Sequence, residues 1–320
     1  MLRKGDLTQG GITTTLLQFT LPMLAGSLLQ QCYNIADTLI VGQCIGANAL
    51  AAVGSAYTLM VFLISILLGL SMGSGTVFSL QYGAEDLSAQ RRSIYVSLLL
   101  IGTVTILLNV AVFLWLDPIL RWLQVPYDIY SLMRNYLWII FWGIVFTFLY
   151  NFYAALLRAV GDSVTPLWFL AVSVVLNIGL DLFLILVLDQ GIEGAAVATV
   201  IAQGTAASGI LLYTYKTRPE LRLHREDMCF DRSSLREITS FSTLTCVQQS
   251  VMNFGILMVQ GLVNSFGTVV MAAFAAAVKI DSFAYMPFRS SGMLFPPSLP
   301  RISERGKGIA SAGEYVAHFL

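Results

Sequence analysis

Residues 50–80 carry no charged side chain, and so long an apolar run has few places to fold. A bilayer core takes about 20 apolar residues per helix. Seven or eight stretches meet that length, near 14–41, 50–80, 93–116, 129–156, 164–188, 193–215, 239–264 and 268–287, the last being the weakest. Only 11% of the 320 residues are charged and 57% are hydrophobic, whereas a soluble domain carries about 25% charged residues. A water-facing surface cannot be built from so few charges unless lipid covers the rest. The expected fold class is an all-α polytopic membrane protein. The first apolar run is long and lacks a small-residue cleavage site, so it reads as a retained helix rather than a signal peptide.

Charge between the stretches sets an expected orientation. Arg3, Lys4, Arg91, Arg92, Arg158, Lys216, Arg218, Arg222, Arg225, Arg232 and Arg236 fall on one side; the opposite loops of the first six helices hold only Arg121 and Arg134. By the positive-inside rule the N-terminus is cytoplasmic, in a multi-pass protein of the plasma membrane. Trp115 and Trp122 suit an interfacial anchor at the outer end of the third helix. Pro22, Pro166 and the Gly69, Gly73, Gly75 series permit bending or close packing within the bilayer.

Several chemistries are disfavoured. No basic block points to nucleic acid, and His224 and His318 are too few for a histidine metal site. Cys32, Cys44, Cys229 and Cys246 form no CxxC pair and read as free thiols. There is no P-loop, GxGxxG, HExxH or GxSxG motif, which argues against an enzyme and against ATP-driven transport by this chain alone.

The chain partly repeats itself. At an offset of 221, Ile45-Gly46 matches Phe266-Gly267, and Ala51, Ala52 and Ala56 match Ala272, Ala273 and Ala277. Both copies join a polar-dotted helix to an alanine-rich one after an even number of helices, which fits a parallel six-helix repeat. The expected organisation is an N-lobe of six helices over 1–215, a cytoplasmic linker over 216–237, and the first one or two helices of a pseudo-symmetric C-lobe over 238–287. Pro296, Pro297 and Pro300 then fall where the copied second helix should continue. Residues 288–320 therefore read as a divergent, frameshifted or truncated tail; read in a shifted frame, 288–319 can encode an apolar helix with a Gly-Ala pair near the position of Gly83-Ala84. A genuine short form with a divergent tail is the alternative.

Two acids lie inside hydrophobic stretches, Asp37 and Asp181. An ionised acid near the bilayer centre costs roughly 2.5–3.5 kcal/mol on insertion scales, so both should face the bundle interior or a wet cavity. At about 1.5 Å per residue, Asp37, Asp181 and Thr199 lie roughly 6–11 Å inside the outer helix ends. Asn177 is one turn from Asp181 on the same face. Two carboxylates, an amide and a hydroxyl at similar depth suit a proton or a hard cation such as Na+. The alternative is that both acids only hydrogen-bond neighbouring helices. Gln30, Gln31 and Asn34 add a polar stripe to the first helix, expected to line a substrate cavity, although helix–helix bonding would also explain it. Glu193 and Asp189, at a helix end, read as solvated.

Taken together, several strings resemble the multidrug and toxic compound extrusion (MATE) family over about residues 10–287. They are Leu21-Pro22, the run from Asn34 to Gly42, Ala51-Ala52-Val53-Gly54, Leu157-Arg158-Ala159-Val160-Gly161-Asp162 with Thr165-Pro166, Asn177 with Asp181, and Gly191-Ile192-Glu193-Gly194-Ala195-Ala196. The resemblance implies a twelve-helix, two-lobed antiporter that exchanges H+ or Na+ for small organic, often cationic, compounds. It also implies no cofactor beyond the coupling ion, and a monomer in the lipid bilayer. It places a cation site at Asp37, Asn177, Asp181 and Thr199, with Tyr136 and Asn151 as further members. The depth argument does not put Asn151 beside Asp37. Met258 stands at the second copy's equivalent of Asp37, consistent with a cation site in the N-lobe only. Lacking helices nine to twelve, the chain is not expected to transport alone. Two other readings compete. A lipid-linked oligosaccharide flippase of related fold would need basic residues in its cavity, and helices one to six show almost none. A non-transporting seven-helix membrane protein is disfavoured by the repeat and the paired acids.

Overall fold

The computed structural model of the chain describes residues 12–224, 227 and 231–284. The expectations for Arg3, Lys4, Cys229 and the 288–320 tail lie outside the described residues. Every long element is an α-helix: α1 (Ile12–Cys44), α2 (Ala47–Gly83), α3 (Leu87–Trp122), α4 (Tyr127–Trp142), α5 (Ile144–Ala159), α6 (Val164–Leu182), α7 (Gly191–Thr217), α8 (Arg232–Asn264) and α9 (Thr268–Ala284). In a bilayer this is what backbone chemistry demands, because a helix satisfies its own amides without water. Helices α2, α3, α6 with its extension, α7 and α8 are each long and apolar enough to cross a membrane. Helix α1 is 33 residues long but is dotted with polar groups.

The fourth expected helix is not one straight segment. It breaks at Gly143 into α4 and α5, bent by 46°. Apolar periodicity runs through the break, so hydropathy could not reveal it. The physical reason lies on α7: a Cβ at residue 143 would sit 2.8 Å from Gln203 Oε1 and 3.2 Å from Val200, so a glycine lets α7 pack into the bend. Helix α8 begins at Arg232 rather than near 238, because Asp231 caps it. Its carboxylate accepts from the Ser233 and Ser234 amides and from both hydroxyls. The Ser234 hydroxyl and the Ser233 amide chiefly hold this carboxyl below its usual range. In α3, Trp115 leaves helical geometry three residues before Pro118, which has no N–H to give and crowds the preceding turn.

Helix α2 is the axle of the bundle. It packs most extensively on α8, and also on α3, α4, α5 and α9. Small residues make the α8 approach possible. A Cβ on Gly73 would overlap the Ser242 backbone, and one on Gly69 the Cys246 backbone. At the far end of the same interface Thr58 donates to Gln260 (3.1 Å), and Asn264 donates to Ser55 (3.1 Å) and to the Leu123 carbonyl (2.8 Å). At the end carrying the α2–α3 turn, the segment after α7 is clasped to the bundle. Arg218 meets Asp162 (3.4 Å), and Arg91 donates to the Glu220 carbonyl (2.9 Å). Cys32, Cys44 and Cys246 are free thiols.

Candidate functional site

Helices α1, α6 and α7 bring the central polar group together, because α6 packs on both α1 and α7. Asn177 and Asp181 are fully buried, one turn apart on α6. With its amide nitrogen toward the carboxylate, Asn177 donates to Asp181 Oδ2 at 2.9 Å, and its amide oxygen accepts from the Thr199 backbone N–H at 3.3 Å. The amide also lies 3.4 Å from the Thr199 hydroxyl. From α1, the Tyr33 hydroxyl reaches the same hydroxyl at 3.3 Å. A chain of polar contacts thus runs Tyr33–Thr199–Asn177–Asp181 across three helices.

Asp37 sits one turn beyond Tyr33 on α1. It is close enough to Asp181 for each carboxylate to feel the other's charge, and both act on Tyr33 and on Tyr136. Tyr136, on α4, is buried. Asp181 Oδ1 is buried and bonds to nothing among the described residues. An oxygen-rich pocket of this kind can receive a proton, or offer carboxylate, amide and hydroxyl oxygens to a small hard cation. Immediately after Asp181, α6 widens into a π-helical turn over Phe183–Val187. Single π turns inside helices occur frequently at functional sites, since they shift the register of one face by a residue.

The expected residues divide in two. Asp37, Asp181, Asn177, Thr199 and Tyr136 converge. Asn151, on α5, donates to the Thr147 carbonyl of its own helix (2.8 Å). On the stripe, Asn34 donates to Gln31 (3.1 Å) and lies 3.5 Å from the Tyr57 hydroxyl of α2, while Gln30 is exposed. Glu193 is exposed and accepts from Asn135 (2.8 Å). Tyr33 is the member that sequence reasoning missed. It lies four residues before Asp37, and that spacing on one helix face was the available signal.

Residues 22–183 match the MatE family. The probable multidrug resistance protein YpnP of Bacillus subtilis (strain 168) is 33% identical over 287 residues, covering 90% of this chain and 64% of its own length. The multidrug export protein MepA of Staphylococcus aureus (strain NCTC 8325 / PS 47) is 27% identical over 276 residues, 84% of this chain and 59% of its own. The chain spans about three fifths of the length of these curated relatives. Among solved structures, a MOP superfamily transporter from Pyrococcus furiosus superposes with a TM-score of 0.83 at 21% identity, over 93% of this chain and 66% of its own. At that identity the likeness speaks to the fold alone, an all-α membrane fold.

Proposed function

From the premise that this chain belongs to the MatE family, we propose that it carries the cation-coupling lobe of a secondary antiporter. The antiporter exports organic compounds, often cationic, in exchange for H+ or Na+. Drug export is supported by the names of relatives, a probable multidrug resistance protein (YpnP) and a multidrug export protein (MepA). The observation that carries the coupling role is the buried Asp181, held by Asn177 and within electrostatic reach of Asp37. Two carboxylates that close together cannot both stay ionised without cost. A proton or Na+ between them removes that cost and draws α1 toward α6 and α7. Because α1 also touches α9, its position is felt beyond the α1–α7 bundle.

The same reading takes α1–α7 as six spans, with α4 and α5 sharing one, and α8–α9 as the opening of the second lobe. The basic residues Arg91, Arg92, Arg158, Lys216 and Arg218 put the α2–α3 end in the cytoplasm. Gln31, Asn34 and Tyr57 line the substrate path.

The purified chain tests the cation site without requiring transport. A pH jump followed with an indicator dye reads protons taken up per chain, and added Na+ competes for the same oxygens. Uptake falls by about one proton in Asp181→Asn. Equal uptake by wild type and by both Asp37→Asn and Asp181→Asn would refute the coupling role.

A further inference from the structure

A second set of buried polar groups lies away from the acids, along the seam between α2 and α3. Its register is fixed by two bonds: Gln81 Nε2 donates to Ser93 Oγ at 2.8 Å, and Gln90 Nε2 donates to the Phe78 carbonyl at 3.2 Å. These antiparallel pairings set Ser74 opposite Ser97, which is one turn beyond Ser93 on the same face. Ser71 is one turn further along α2 from Gly75, the residue that meets Ala155 of α5. Ser71, Ser74, Ser97 and Gln90 are each at least 99% buried. The oxygens Ser71 Oγ, Ser74 Oγ, Ser97 Oγ, Gln81 Oε1 and Gln90 Oε1 accept from no group among the described residues. Serine and threonine hydroxyls inside helices commonly bond back to the carbonyl four residues earlier, as Thr105 does to Ile101 on the same α3 (2.7 Å). Along this one seam Ser71, Ser74 and Ser97 make no such bond. Buried polar groups are satisfied by protein or by ordered water.

The seam also leads somewhere. Helix α3 runs antiparallel both to α2, through the Gln81–Ser93 bond, and to the α4–α5 segment, through the Asn109 bond to the Phe141 carbonyl and the Arg134 bond to Asp117, so α2 and α5 run in the same direction. With Gly75 against Ala155, Ser71 falls level with Asn151, each one turn before that contact. Asn151 bonds to the Thr147 carbonyl, Thr147 Oγ1 donates to Gln203 Oε1 at 3.0 Å, and Gln203 is one turn from Thr199. From Gly83 to Ser71 the climb is about 18 Å at 1.5 Å per residue.

We propose that the α2–α3–α5 seam is a water-binding site that runs from Gln81 and Gln90, past Ser74, Ser97 and Ser71, to Asn151, and connects the acid cluster to the α2–α3 end of the protein. Its lining is uncharged, so it holds water and passes protons along hydrogen bonds without trapping an ion. Bound water follows from the orphaned oxygens alone; its use as the protons' path rests on the coupling reading above.

Two measurements on the purified chain in lipid nanodiscs test it. In pulsed hydroxyl-radical footprinting, Phe78 and Phe152, both 0% exposed, are labelled because water lies beside them. Phe141, equally buried but packed against Phe113, stays unlabelled. Ser97→Leu, and Ser74→Val as a second plug, abolish the labelling. Labelling of Phe78 and Phe152 no greater than that of Phe141 overturns the site. In the pH-jump assay the plugs slow proton uptake at least tenfold and leave its amplitude unchanged. An unaltered rate with intact amplitude overturns the path, whereas loss of amplitude in the unplugged chain counts against the coupling reading and leaves the labelling result standing. Ser74→Ala adds a sign: removing a hydrated hydroxyl lowers the melting temperature, and a rise would show that the hydroxyl was dry.

Discussion

At the scale of single residues, Asn177 orients Asp181 and contacts Thr199. A buried carboxylate held by one amide loses its fixed direction when that amide is removed. Asn177→Ala should therefore weaken cation affinity by about tenfold or more, in line with losing an orienting partner at a metal site, and proton-linked Na+ titration checks it. Asp37, Asp181, Asn177 and Thr199 were legible in the sequence because the bilayer makes acids conspicuous and helical spacing puts Asn177 beside Asp181. Tyr33 was not legible, because an aromatic residue in an apolar helix carries no such penalty. Its role follows from where its hydroxyl points, and only the packing of α1 on α6 and α7 decides that. Asn151 is the converse: the family resemblance placed it in the cation network, yet its amide turns back to Thr147.

At the scale of elements, the α2–α8 interface depends on two glycines that have no room for a side chain. Gly73→Leu would force the helices apart, at a cost of about 1–3 kcal/mol for overpacking, and should lower the melting temperature in detergent. Gly179 provides the contrast, since a Cβ there meets nothing within 4 Å. Gly179→Ala should leave the melting temperature unchanged or raise it slightly, as helix propensity favours alanine. A similar fall in both variants would show that glycine flexibility, not close approach, matters at Gly73. The glycine spacing on α2 was visible in the sequence, but its partner helix was not. The α4–α5 bend stayed hidden for a related reason: Gly143 is one small residue in an unbroken apolar run, and its purpose is to admit Gln203 of a helix some sixty residues away.

At the scale of the whole molecule, lipid explains why the fold class was so readable. Few charges, long apolar runs and a demand for self-satisfied backbone leave a helical bundle as the remaining architecture. The proposed orientation rests on charge alone and is testable. With native cysteines replaced, Lys216→Cys should react with a membrane-impermeant maleimide only after the cells are opened. Tyr127→Cys, at a position 98% exposed near the opposite end, should react in intact cells. The reverse pattern would invert the proposed topology. Which helices neighbour which was much less readable. Helix α8 packs more on α2 than on α9, its neighbour in the chain, and hydropathy says nothing about such partners.

In the proposed coupling mechanism Asp37 and Asp181 share one cation between them. Carbon-13 NMR of the aspartate side-chain carboxyls in the purified chain reads each titration directly. Coupled sites titrate as a pair, so Asp37→Asn should displace the Asp181 titration midpoint, and Na+ should shift both signals in the wild type. An Asp181 titration that is identical with and without the Asp37 carboxyl, and indifferent to Na+, would contradict it.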